Sequence, residues 1–212
     1  MSQEDVIKEI AHQALMSLSP SPVPNNWLWK RTQTLMRNVE CICKLPELVE
    51  ADLPVDRFCL RAATYFSDLG FVSSHDSPAQ TVSDKLADVI TEQKINKINT
   101  IISESINKLT RMNEAKILSD ARSLDDMGIL GIFSEFYRCI LHGKGAQDIL
   151  ESWRKKIDYG YWQARLKEGF HFESVRRIAT QRLSLRDDFM TQFAVEHNNQ
   201  DLKQTTLESL KS

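Results

Sequence analysis

An all-α helical bundle of about eight to nine helices is the fold this sequence predicts. Three observations carry that expectation. Glycine and proline are scarce, at 7 and 6 in 212 residues. Apolar residues recur three and four positions apart in segment after segment. No pair of alternating apolar and polar runs offers a strand hairpin.

The helices follow in order. Over 2–18, Val6, Ile10, Ala14 and Leu18 recur every fourth position, and the proline cluster at 20–24 then forces an extended link. A second helix over 26–45 places Leu28, Leu35, Val39 and Ile42 on one side and is closed by Pro46. A third runs over 54–69, with Pro54 near its first turn and Gly70 as its C-terminal stop. Residues 71–78 read as a loop. Helices are expected at 79–91, at 94–109 with Ile95, Ile98, Ile102, Ile106 and Leu109 in register, and at 113–124. Another, over 126–142, carries Gly128 and Gly131 one turn apart, where a neighbour could approach closely. Two longer helices, 146–168 and 171–196, complete the pattern. One domain over 1–198, followed by a polar, frayed tail over 199–212, is the economical division.

Bulk composition narrows the function classes. Apolar residues are 42% and charged residues 26% of the chain, ordinary values for a self-folding globular protein. A net charge of −2 and a pI near 6.2 provide no basic field for nucleic acid. The N-terminal stretch lacks the basic and apolar regions of a secretory signal, and no run approaches the roughly 18 apolar residues of a membrane span. A soluble cytoplasmic protein is therefore expected, with neither nucleic acid nor membrane as partner. Cys41, Cys43, Cys59 and Cys139 have no paired spacing; on one helix Cys41 and Cys43 would point about 200° apart, so reduced packing cysteines are expected.

Glycine-rich phosphate loops, zinc motifs and a nucleophile elbow are all missing. What stands out is acid in apolar company. Asp68 ends the helix AATYFSDLG, and Asp120 sits in EAKILSDARSLDDMGILGI. A carboxylate among apolar neighbours is costly unless a cation or proton donor compensates it, so two of them suggest a shared partner.

These segments resemble the HD superfamily of metal-dependent phosphohydrolases, in its branch of small bacterial helical proteins. That branch has a Trp two residues before a ligand His, then an A-A-L-L-H-D helix end, then E-x-x-I-L-x-D-A-D-x-L-D-x-x-G-x-x-G-I, and last a helix with A-x-x-R and a closing Phe. This chain has Trp29 before Arg31, AATYFSDLG, Glu114 to Ile132 nearly position for position, and IATQR with FMTQF. The resemblance implies an HD-domain-like helical bundle. It also implies a divalent cation, held by two histidines and two aspartates, that activates water against a phosphate.

The departures fall on the ligands. Arg31 stands at the first His position and Ser67 replaces the His of the His-Asp pair, leaving Asp68 and Asp120. Arg122 replaces the second Asp of D-A-D. A guanidinium stays protonated and cannot ligate a metal, but its fork matches carboxylates. The expectation is therefore that Arg31 neutralises Asp68 and Asp120 where the family has its metal, and that no cofactor is needed. On this reading the chain is a degenerate HD-domain protein that has lost phosphohydrolase activity and binds a nucleotide, another phosphorylated small molecule or a protein.

Two other readings stand beside it. A rearranged phosphohydrolase would hold Mg²⁺ or Mn²⁺ on Asp68 and Asp120, with His75 or Asp125 assisting. A structural module would associate through the Gly128/Gly131 face. Asp68 and Asp120 also fit plain helix-end roles, and His75 beside Asp76 fits a solvated loop. His12, His142, His171 and His197 have no ligand spacing. Trp27, Trp29, Trp153 and Trp162 fit core packing better than a pocket. The basic runs 29–31, 153–156 and 175–177 fit either phosphate contacts or solvated helix faces. The sequence leaves ligand identity and oligomeric state open.

Overall fold

The protein is all-helical, with eleven α-helices and no strand among the described residues of the computed structural model, which are 2–18, 27–69 and 78–203. The proline link at 20–24, Gly70, the loop bearing His75 and the tail beyond 203 lie outside them. The chain divides into two compact units, Met1–Arg122 and Ser123–Ser212, the boundary falling inside a helix. Among the described residues no helix is long and apolar enough to cross a membrane.

The first unit holds α1 (Gln3–Leu18), α2 (Trp27–Ile42), α3 (Pro46–Glu50), α4 (Arg57–Phe66), α5 (Pro78–Leu86), α6 (Glu92–Glu104) and most of α7 (Asn113–Asp126). At its centre is α4, packed against α1, α2 and α6. Every residue from Cys59 to Phe66 except Arg61 is buried, as expected of a helix enclosed on all sides. Arg61 is half-exposed and ties three helices together, pairing with Glu4 of α1 at 3.1 Å and Glu40 of α2 at 2.6 Å. That hydrogen bond from Arg61 holds the Glu40 carboxyl below its usual range.

The start of α4 is fixed by polar groups. Asp56 is the N-cap, accepting from the Cys59 amide at 3.0 Å, so the helix begins after Pro54 instead of enclosing it. Glu114, at the start of the matched segment, accepts from the Asp56 amide at 2.8 Å, and Lys97 lies 3.2 Å from both carboxylates. Burial works to lower the Lys97 pKa, but its bonds to Asp56 and Glu114 carry it above the ordinary value. α6 and α7 are thereby anchored to the N-terminus of α4.

The second unit comprises the end of α7 with α8 (Gly128–Leu141), α9 (Ala146–Asp158), α10 (Tyr161–Glu168) and α11 (Glu173–His197). α11 packs on α8, α9 and α10. Ile132, Ile149, Leu150 and Met190 form a core cluster, with Phe136, Cys139 and Phe193 against it.

Several sequence expectations are corrected. Pro46 opens α3 at its first turn as well as following α2. The helix expected over 146–168 is two, because Gly160 takes φ +62 and breaks the ladder between α9 and α10. Ile106 and Leu109, placed on an apolar stripe, are exposed, since α6 ends at Glu104 with Ser105 as its cap. Cys41 is exposed instead of packed, whereas Cys43 and Cys59 are buried; burial lifts the Cys59 thiol to about 12.

Candidate functional site

The site begins on α2. Leu28, Thr32, Leu35, Val39 and Ile42 are its buried residues, at helical spacing, and Arg31 adjoins that face. α4 ends at Phe66 with Ser67 as its C-cap, and the chain turns immediately through Asp68. Asp68 is fully buried.

Two groups of α2 meet the Asp68 carboxylate. Arg31 Nη1 lies 3.6 Å from Oδ1, with its side chain 12% exposed, and Thr32 Oγ1 donates to Oδ2 at 3.4 Å. The separation from Arg31 exceeds a good charge-assisted hydrogen bond, so the pairing is chiefly Coulombic. In a water-poor setting such an attraction is screened far less than at the surface.

Ser67 turns away from this group: its hydroxyl donates to the Thr64 carbonyl at 3.0 Å, closing the last turn of α4. Asp120 is fully buried on α7, flanked by buried Ser119 and Ala121. The next carbonyl along, Ala121, accepts from Asn38 of α2 at 3.5 Å, which places this part of α7 against α2. The structure thus brings Arg31 and Asp68 together with a third residue, Thr32. Thr32 was not singled out from sequence, although a signal was present: it stands four residues after Leu28 and three before Leu35, a hydroxyl within the apolar stripe. Asp125 is buried five residues beyond Asp120, while Arg122 is half-buried.

The resemblance implies a divalent cation here. Its ligands would have to offer lone pairs, and the two α2 groups that meet Asp68 are donors: a guanidinium that stays protonated and a hydroxyl that gives its hydrogen to the carboxylate. Among the described residues no three or more His, Cys, Asp or Glu side chains gather as a metal site. The two α2 groups facing Asp68 suit the neutralisation of a carboxylate and supply no lone pair to a metal.

A second polar cluster, in the second unit, was missed from sequence. Arg186 of α11 is 2% exposed, and its Nη2 donates to Glu135 of α8 at 2.5 Å while Nη1 donates to the Asp126 carbonyl at 3.3 Å. Its guanidinium lies 4.2 Å from the centre of the Trp162 ring. Lys156 also donates to Glu135, and Ser152 does so at 3.3 Å. Burial works to raise the Glu135 pKa, but Lys156 and Arg186 outweigh it and hold the carboxyl below the usual range. The available signal was Glu135 itself, the single acid in the apolar helix GILGIFSEFYRCIL. The basic runs divide likewise: Lys156 and Arg176 turn onto Glu135 and the Phe170 carbonyl, whereas Lys30, Arg154, Lys155 and Arg177 are exposed.

The glycine pair of α8 is used within the chain. A Cβ on Gly131 would lie 2.1 Å from the Asp126 carbonyl oxygen, and one on Gly128, at φ +79, 3.0 Å from Arg182 Cβ. The close neighbours that these glycines admit are the chain's own backbone at Asp126 and Arg182 of α11.

Two surface hollows lie elsewhere. One of about 430 Å³ is lined by Lys144, Asp148, Glu151, Lys155, Tyr159 and Tyr161. Another of about 210 Å³ has Cys43, Leu48, Leu53, Val55 and Arg57 among its walls. Neither includes Arg31, Asp68 or Asp120.

No family model and no curated protein matches the chain. Solved structures do. YpgQ of Bacillus subtilis in complex with ADP superposes with a TM-score of 0.66 at 18% identity, over 92% of this chain and 94% of that one. The Lin1889 protein of Listeria innocua gives 0.62 at 22% identity, over 92% and 96%. A Lactobacillus plantarum protein gives 0.62 at 18%, over 93% and 97%. At these identities the shared property is the all-helical fold.

Proposed function

We propose that this chain is a degenerate HD-domain protein in which Arg31 stands where the family holds its metal, and that it binds a nucleotide without hydrolysing it. The observation carrying this reading is the 3.6 Å approach of Arg31 to the fully buried Asp68. A carboxylate already facing a fixed positive charge has little left to offer a divalent ion, and without that ion no water is activated against a phosphate. The ligand class is supported by the solved YpgQ complex, whose ligand is ADP, on the same fold over most of both chains.

Calorimetric titration with ADP, with and without EDTA, tests this together with a phosphate-release assay in Mn²⁺ or Mg²⁺. Saturable heat unchanged by EDTA, with no phosphate release, is the expected result. Release of phosphate that depends on Asp68 and Asp120 would overturn it.

A carboxylate-based phosphohydrolase with Mg²⁺ or Mn²⁺ is the second reading, favoured by one observation: Asp68 and Asp120 are both fully buried, as ligands of an enclosed ion would be. ADP binding abolished by EDTA and restored by Mn²⁺ would select it.

A further inference from the structure

α8 has two faces. Gly128, Gly131, Ile132 and Glu135 are buried in the second unit, while Ile129, Leu130, Phe133 and Ile140 are 53%, 52%, 63% and 67% exposed. Beside them, α11 exposes Leu185 at 56% and Phe189 at 40%. The two rows are joined by the half-buried Phe136, whose ring lies 6.4 Å from Phe189 and 5.2 Å from Phe193. Ile129, Phe133, Phe136 and Ile140 follow the i, i+4, i+7, i+11 spacing of a helix-pairing seam.

We propose that this α8–α11 face is where two copies of the chain meet, as a two-fold symmetric homodimer. The first argument is area. A fully exposed side chain of this size presents roughly 200 Å², so the six exposed residues show roughly 650 Å² per copy. That exceeds the roughly 300–600 Å² of the largest apolar patch on a typical monomer. Two copies laid face to face would bury roughly 1,300 Å², inside the range of about 1,200–2,000 Å² for a stable specific interface.

The second argument is charge. The seam carries none. Of the two charged residues of α8, Glu135 is turned inward onto Arg186 and Lys156, and Arg138 projects about 160° around the helix from Ile140. On the α8 row a partner selected by charge finds nothing to read, and the charges beside it, Arg182 and Asp188 of α11, are of opposite sign. A second copy brings the same neutral seam, which is what a self-complementary contact requires.

Sedimentation velocity on the full chain tests this, from about 1 to about 100 µM, the range in which an interface of this size should associate. The wild type is expected to approach twice its 24.4 kDa mass. Phe133→Glu and Leu185→Glu should each weaken dimerisation at least about thirty-fold, the loss expected from placing a charge at the centre of an apolar contact. Leu109→Glu, at another exposed apolar position outside the face, should leave it unchanged. Circular-dichroism melts establish that each variant is folded, and Ile129→Lys replaces either one that is not. A wild type that stays monomeric throughout, or a dimer that survives the seam variants, overturns the proposal.

Discussion

The guanidinium of Arg31 lies 3.6 Å from the carboxylate of Asp68, one side chain 12% exposed and the other fully buried. Without Arg31 the buried carboxylate would keep the hydroxyl of Thr32 but lose the cation facing it, at a cost of several kcal/mol, and the helix end carrying it would have reason to open. Arg61 supports the pair indirectly by fastening α2, the helix of Arg31, to α4, the helix that leads into Asp68.

Arg31→Met is expected to destabilise the protein by about 3 kcal/mol, because it strands a buried charge instead of merely removing a contact. Asp68→Asn should cost less, since the amide can still accept from Thr32. In the double variant the penalties should be sub-additive by about 1–2 kcal/mol, the signature of a coupled pair. Urea denaturation of the four proteins measures the cycle, and strictly additive penalties would show that the two side chains do not interact.

If the proposed HD reading holds, imidazoles placed at positions 31 and 67 should create metal affinity. Arg31→His with Ser67→His removes the fixed cation and supplies one lone-pair donor facing Asp68 and a second on the adjoining residue, whose longer side chain can swing from the Thr64 carbonyl, so the double variant is expected to bind Mn²⁺ where the wild type does not. Affinity should fall as the pH drops through the imidazole range near 6.5, where protons compete for the same lone pairs. Calorimetry with Mn²⁺ at two pH values reads both effects. A double variant that ignores Mn²⁺ at high pH would count against the proposed HD reading of these positions.

Helices were legible wherever burial is one-sided. In α2 the apolar stripe read from sequence is the buried face, because three- and four-residue spacing translates directly into one side of a helix. Asp68 and Asp120 were legible as buried acids for the converse reason, being polar in apolar company. What escaped is what depends on partners distant in sequence. Glu114 opens a motif, but that it holds the Asp56 amide follows only when residues 58 positions apart meet. Arg186 reads as one more charge on a polar helix until Glu135 and Trp162 are brought to it. The break at Gly160 escaped because a lone glycine is compatible with a continuous helix as well as with a left-handed stop.

Gly131→Ala should be among the most damaging small substitutions. Its Cβ would sit 2.1 Å from the Asp126 carbonyl oxygen, a backbone atom that cannot rotate away, and 3.1 Å from Arg186 Nη1. A loss of about 2–4 kcal/mol is expected from the forced separation of α8 from the end of α7. Gly143→Ala is the contrast: nothing lies within 4 Å of its Cβ, and only the left-handed backbone at φ +69 opposes it, for about 1 kcal/mol. Thermal melts of the two variants should separate by several degrees.

Glu135 gives the second unit a defined response to acid. Its folded pKa lies below the ordinary carboxylate value because Lys156 and Arg186 outweigh the effect of burial. A depressed carboxylate stabilises the fold fully above its unfolded value of about 4.3, and that stabilisation is lost as pH falls through the lower folded value. Protonating Glu135 leaves the Lys156 and Arg186 cations facing a neutral acid. Glu135→Gln creates that situation at every pH and should cost about 3 kcal/mol at neutrality, while Arg186→Met leaves Lys156 and Ser152 to hold the carboxylate. The glutamine variant should also lose the part of the acid transition below about pH 4.3 that Glu135 contributes. Denaturation followed from pH 7 to pH 3 distinguishes the cases: equal pH slopes for wild type and Glu135→Gln would show that this carboxyl is not held below its usual range.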